Sequence, residues 1–169
     1  MGPTRQPPSG LHHWRAGVAF VAVAIITVGG VLDISANRLA RRAVQTGDPA
    51  AALRAVELRP DDVRYETAAV ALLLERGRLS DMTTALATAR RALSWSPHDP
   101  IALQLEAEAL LAIASATGKS ADIEAALDAW AALAQRDPLR RRWLLQFGRA
   151  SALAGDSAAA RAAFAAAAD

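Results

Sequence analysis

The interval from Gly77 to Pro97 is 20 residues, and the interval from Gly118 to Pro138 is 20 again. Aligned on their glycines, Gly77-Arg78-Leu79-Ser80-Asp81-Met82-Thr83-Thr84-Ala85-Leu86 and Gly118-Lys119-Ser120-Ala121-Asp122-Ile123-Glu124-Ala125-Ala126-Leu127 share the glycine, the basic residue after it, the aspartate and the Ala-Leu pair. Self-similarity at a fixed spacing restricts a chain more than composition does. Each unit must be one supersecondary element that buries its apolar face against its neighbours, and stacks built this way present extended surfaces that bind other molecules.

Apolar residues recur at helical spacing between breaks at Gly47-Asp48-Pro49, Pro60-Asp61-Asp62, Gly77, Pro97-His98-Asp99-Pro100, Gly118, Pro138 and Gly155-Asp156. No stretch alternates with the period of a strand, so the spacing predicts an all-α fold. The aspartates stand where a carboxylate caps the next helix, and Pro49 and Pro100 suit a first helical turn, where a missing N–H costs nothing. The chain is 53% hydrophobic but only 5% aromatic. Its apolar side is therefore mostly Ala, Leu and Val, small residues that favour closely packed helices.

The last unit reads Leu144-x-x-Phe147-Gly148, then Gly155-Asp156, then Ala160-x-x-x-Phe164. This resembles the tetratricopeptide repeat, in which an aromatic and Leu-Gly on the first helix precede Ala-x-x-x-Phe on the second, with a proline closing a unit of about 34 residues. In physical terms Gly148 lets paired helices approach, Ala160 does the same for the next unit, and Phe164 fills the gap between hairpins. Pro60 to Gly77 and Pro138 to Gly155 are each 17 residues, as the repeat requires. In the middle units Ala85 and Ala92 lead to Pro97, and Ala126-x-x-x-Trp130 leads to Pro138, but glycine to alanine is three residues longer in both. Those insertions, Arg78 to Thr83 and Lys119 to Glu124, read as longer turns on one edge of the stack. The first helix of the third unit runs about a turn over, and the first unit keeps only Ala55 and Pro60 of the pattern. The resemblance implies an α-solenoid of about three to four helix hairpins over residues 34–169, with units of about 34–60, 61–97, 98–138 and 139–169. A generic helical bundle is the alternative; it has no reason to keep the shared glycine-to-proline distance.

Residues 1–13 hold three prolines and read as a flexible tail. From Ala16 to Leu32 there is no charge, and the run is bracketed by Arg15 and Asp33. Its 17 residues at about 1.5 Å each span roughly 26 Å, slightly less than a hydrocarbon core of about 30 Å. Residues 14–33 are expected to form a transmembrane anchor helix, with Trp14 and Arg15 at the headgroup level. A secretory signal cleaved near Ile34-Ser35-Ala36 and a buried core helix are the competing readings. No proline or turn cluster separates the run from Gln45, so the anchor is expected to continue as the first helix of the stack, with Arg38, Arg41 and Arg42 near anionic headgroups or on a solvated face. A short tail before a lone apolar segment usually stays inside, which places the repeats outside the cytoplasm. Eighteen arginines beside one lysine, among so much alanine, fit a bacterial protein.

The formal net charge of +2 comes from the tail alone. All 17 acidic residues lie at Asp33 or beyond, and the 19 bases less Arg5 and Arg15 balance them there. Without a positive field or a basic run interleaved with aromatics, nucleic-acid binding is not expected. Cysteine is absent. His12, His13 and His98 form no site, Glu106 and Glu108 point to different faces of a helix, and no phosphate loop or nucleophile elbow occurs. The sequence therefore predicts no enzyme, no cofactor, no metal site and no small-molecule substrate.

In the resembled family the first helix of each unit lines a concave groove, and the positions that face it fall here on Arg64 and Thr67, Gln104 and Glu108, and Arg142 and Arg149. The lysine and asparagine clamp of chaperone-binding members has no counterpart, since Lys119 is the only lysine and Asn37 the only asparagine. Residues 98–138 carry seven acids against two bases and residues 139–169 five bases against two acids, so an acidic middle and a basic end would orient a partner. The Arg140-Arg141-Arg142 run is otherwise a solvated outer face. Phe164 and the alanines around it would be left partly uncovered at the end of the stack, as a docking surface for another subunit. The function expected is a single-pass membrane scaffold or adaptor that binds protein partners. The alternatives are an accessory tail resembling that of bacterial O-antigen ligase-type glycan ligases and polymerases, and a structural subunit of a membrane complex.

Overall fold

A computed structural model describes the backbone of residues 10–168 and the side chains of residues 28–168. Over this span the chain forms eight helices and no strand: α1 (Gly10–Thr46), α2 (Pro49–Leu58), α3 (Val63–Glu75), α4 (Leu79–Trp95), α5 (Pro100–Thr117), α6 (Ser120–Arg136), α7 (Arg141–Leu153) and α8 (Ser157–Ala166). Each helix packs on the one before it, giving four hairpins. In addition α1 lies against α3, and α3 against α5. Helices α1, α3 and α5 thus lie in one layer, against which α2, α4 and α6 pack.

Turn chemistry separates the two edges of the stack. Every turn from an odd to an even helix carries a glycine at positive φ: Gly47, Gly77, Gly118 and Gly155. Gly118, at φ 63°, caps α5 by donating its N–H to the Ala114 carbonyl, a left-handed conformation that a side chain would strain. At the starts of α2, α3, α5 and α8 the carboxylates of Asp48, Asp62, Asp99 and Asp156 accept backbone N–H bonds, and Pro49 and Pro100 open their helices. These are the caps the sequence predicts.

The insertions in the middle units are not longer turns. They lengthen helices: α4 and α6 have 17 residues each, against 10 in α2 and in α8. Neither Arg78 nor Lys119 caps its helix through its side chain. The aligned aspartates instead sit within the first turn, where the helix dipole favours a negative charge. Asp81 accepts from Arg78 Nε at 2.8 Å, and Asp122 accepts from Thr117 Oγ1 at 2.6 Å. A run with no proline or glycine satisfies its amides better by extending a helix already nucleated than by widening a loop.

Alanine closes the first half of the stack. Ala36 and Ala43 of α1, Ala51, Ala52 and Ala55 of α2 and Ala69 of α3 form one core with Tyr65 and Leu72. Val70 and Leu73 meet Leu105 and Ala109 in the next. The third core is of different character: Trp130 and Trp143, both buried, with Ala107, Leu133 and Ala150.

α1 enters this stack only with its last turns. Asp33 pairs with Arg59 at the end of α2, while Val28 and Val31 upstream are 59% and 57% exposed. Among the described residues no helix is long and apolar enough to cross a membrane. Most of the expected anchor, residues 14–27 with Trp14 and Arg15, lies outside the described side chains, as do residues 1–9. Residues 10–13, placed in the tail by sequence, belong to α1.

Candidate functional site

The six expected groove positions all lie on odd-numbered helices, and the fold divides them into three places. At the step from α5 to α7, Trp143 Nε1 donates to Gln104 Oε1 at 2.9 Å, and Gln104 Nε2 donates to Glu108 Oε1 at 2.9 Å. Arg142 Nη2 donates to the same Glu108 oxygen at 2.8 Å. Gln104, Glu108 and Arg142 are thus one network, continued into the core by Trp143. Trp130 of α6 and Trp143 lie in the core beneath it, and α5 and α7 do not approach as α1 and α3 do.

Further along the same step, Leu111 and Ser115 of α5 face Arg149, Ala152 and Leu153 of α7 across a cavity of about 520 Å³ that reaches Phe164 of α8. Arg149 makes one long bond, 3.4 Å to Gln146 Oε1, and no carboxylate among the described residues pairs with it. Arg149 and Phe164, expected to serve separate surfaces, line one cavity. The ring of Phe164 covers Gly148 so closely that a Cβ there would lie 2.6 Å from Phe164 Cε1. The glycine does permit the close approach that the sequence assigns to it.

The remaining two positions stand apart. Arg64 grips Asp62 at 2.5 Å, lies over the Tyr65 ring at 5.9 Å, and borders a cavity of about 360 Å³ with Asn37, Arg41 and Val44 of α1. The Arg64 hydrogen bond holds the Asp62 carboxyl below its usual range. Thr67 donates to the Val63 carbonyl at 2.8 Å within its own helix.

Two functional-looking groups escaped the sequence reading. Trp143 is the core end of the bridging network, and the family pattern directs attention to Phe147 instead. Glu66 is 2% exposed, with a buried Oε1 that has no hydrogen-bond partner. Burial pushes its carboxyl up to about 7; Arg91 opposes the rise, and Asp99, Asp62 and Asp61 add to it. Its only sequence signal is spacing, since Glu66, Val70 and Leu73 fall on one helical stripe.

The arginine run is solvent-exposed, as expected, and each of its members also makes a contact with the stack. Arg140 stacks 4.4 Å over the Trp143 ring, Arg141 Nε donates to the Ala167 carbonyl at 2.6 Å, and Arg142 holds Glu108. A guanidinium on the last carbonyls of α8 satisfies acceptors that the helix itself leaves open. The charge contrast along the stack is therefore partly spent internally, and Arg149 is the base left facing outward beside a cavity.

Among the described residues no three His, Asp or Glu side chains gather around a point a metal ion would occupy. No protein-family model matches the chain, and no curated protein matches it either.

Proposed function

We propose that this chain is a single-pass membrane protein whose tetratricopeptide-like hairpins recruit a protein partner at the bilayer, with no catalytic step of its own. The continuity of α1 carries the reading. One helix runs out of the apolar segment, through the exposed Val28 and Val31, and into the core through Ala36 and Ala43 without a break. A segment left bare by the stack it belongs to needs another apolar environment, and the uncharged run upstream suits a bacterial plasma membrane, with the repeats outside the cytoplasm. The partner face is the opened step from α5 to α7, where Arg149, Leu111, Leu153 and Phe164 border a cavity that the chain does not fill.

The test is retention of the full-length protein in membranes after alkaline carbonate washing, followed by detergent extraction and affinity capture. Retention lost on deleting residues 1–32, and one protein captured by the wild type but not by Arg149→Glu, are the expected results. Release by carbonate would end the anchor reading. Capture unaffected by Arg149→Glu would end the assignment of the face. A glycan ligase or polymerase in stoichiometric amount would favour the envelope-glycan alternative.

A further inference from the structure

The turns from even to odd helices, 59–62, 96–99 and 137–140, lie along one edge of the stack. Arg59 ties the first of them to Asp33, and Arg136 Nη2 ties the third to the second by donating to the His98 carbonyl at 3.1 Å. α1 leaves the stack at this edge, since Asp33 is its last paired residue and Val28 and Val31 lie beyond it, exposed.

Two large apolar side chains stand free on the same edge. Trp95, the last residue of α4, is 64% exposed, and Leu139 in the α6–α7 turn is 89% exposed, the most of any large apolar residue among those described. Exposed apolar area of this size is unfavourable in water. Leu139 stands almost clear of the stack, and Trp95 has only about a third of its surface covered. Leu139 is flanked by Arg136, Arg140 and Arg141. Asp61, Asp62, Asp99 and Asp137 offset the arginines of this edge, so it is the tryptophan and the aliphatic side chain that suit the boundary between headgroups and acyl chains. The opposite edge, with its four positive-φ glycines, carries no tryptophan.

We propose that the even-to-odd edge rests on the lipid surface from which α1 emerges, with Trp95 and Leu139 seated among the headgroups. This rests on the reading of α1 as a membrane anchor. It adds a second, peripheral contact that fixes the orientation of the stack: the edge with Trp95 faces the bilayer, and the glycine edge faces away.

The chain has no cysteine, so single-cysteine variants of the full-length protein report without background. Val28→Cys, Trp95→Cys, Leu139→Cys and Leu79→Cys, the last on the glycine edge, are each labelled with the same fluorophore. They are reconstituted into vesicles of equal parts phosphatidylethanolamine and phosphatidylglycerol, with and without a lipid carrying a spin label near its headgroup. All four positions are solvent-facing, and unchanged helical circular dichroism verifies that the variants fold. The spin-labelled lipid is expected to cause loss of fluorescence at Val28, Trp95 and Leu139 but not at Leu79. Loss at Val28 alone would keep the anchor and overturn the docking of the edge, leaving Trp95 and Leu139 for a protein partner. Loss at none of the four would overturn the anchor and the docking together. Equal loss at Leu79 would show that the label itself partitions, or that the stack has no fixed orientation, and would also overturn the proposal.

Discussion

Between α1 and α3 the contact surface is Ala36 and Ala43 against Tyr65 and Ala69, whereas at the step from α5 to α7 it is Ala107 and Ala150 around Trp130 and Trp143. The first step brings α1 and α3 into contact over small side chains and Tyr65. The second has Trp130 of α6 and Trp143 of α7 in its core, and polar side chains bridge α5 and α7 above them. Its outer part is spanned by Arg142 and Glu108, and its far end stays open as the cavity beside Arg149 and Phe164. Both steps leave a cavity at the surface, about 360 Å³ bordered by α1 and Arg64 at the first and about 520 Å³ beside Arg149 and Phe164 at the second, so the contrast lies in the core beneath them, alanine in one and tryptophan in the other. Trp130 stands eight residues before Pro138, where Ala52 and Ala89 stand eight before Pro60 and Pro97, so side-chain volume changes there while Tyr65 and Trp143 keep an aromatic at the other position.

The most direct way to break this comparison is to remove the tryptophan. Trp130→Ala deletes the largest fully buried side chain and should cost about 3–5 kcal/mol of unfolding free energy, measured by urea denaturation of the full-length chain in detergent micelles. Trp130 Nε1 has no hydrogen-bond partner, which offsets part of that loss when the ring is removed. The matched change in a closed step, Ala109→Leu, overpacks and should cost about 1–3 kcal/mol. A Trp130→Ala cost below that of Ala109→Leu would mean the core of this step does not depend on the tryptophan.

Glu66 tests the closed half in another way, because a carboxyl has been buried there without a partner. Its folded pKa, raised from 4.5 to about 7, exceeds its unfolded value, so the folded state holds the proton more tightly. The resulting stabilisation is complete below the unfolded value and is lost as pH rises through about 7, for a total on the order of 3 kcal/mol. Glu66→Gln should flatten the dependence and be more stable than the wild type above pH 7. Parallel stability profiles from pH 5 to pH 8 for the two proteins would rule out this site as their cause.

These two tests also mark what the sequence made legible. Helix number, cap residues and turn glycines were readable because each depends on local chemistry: an aspartate before a helix, a proline in its first turn, a glycine where φ must be positive. The six positions that the tetratricopeptide resemblance assigns to a groove fall on odd helices because the order of the helices follows the breaks read in the sequence. Which of them meet was not readable, because Gln104 and Trp143 are 39 residues apart and join only after α6 folds back between them. The insertions were misread as turns because spacing records how many residues are added and not whether they are helical. Glu66 was hidden because a polar residue on a core stripe looks, in one dimension, like a polar residue beside it.

Gly148→Ala sharpens the boundary between the open step and the last hairpin. The new methyl would sit 2.6 Å from the Phe164 ring and should cost about 1–3 kcal/mol. Phe164→Leu in the same chain should recover most of it, because the flat ring is the atom group in the way. A double-mutant cycle with no coupling between the two positions would show that the half-exposed ring simply swings aside and that the α7–α8 approach does not depend on it.

The smallest effect decides what keeps α5 and α7 at their separation. Arg142 and Glu108 span the step at 2.8 Å, with side chains 65% and 22% exposed. Ion pairs as open to solvent as this are worth about 0.2–1 kcal/mol and weaken with salt. The cycle of Arg142→Ala and Glu108→Ala should therefore give a coupling below about 1 kcal/mol that fades at high ionic strength, because the tryptophans beneath set the spacing and the ion pair only covers it. A larger coupling that survives salt would reverse the order of cause. The charges would then draw α7 towards α5, the rings would merely fill the space so defined, and the opening beside Arg149 would be a gap that a partner's own charge could widen by competing for Glu108.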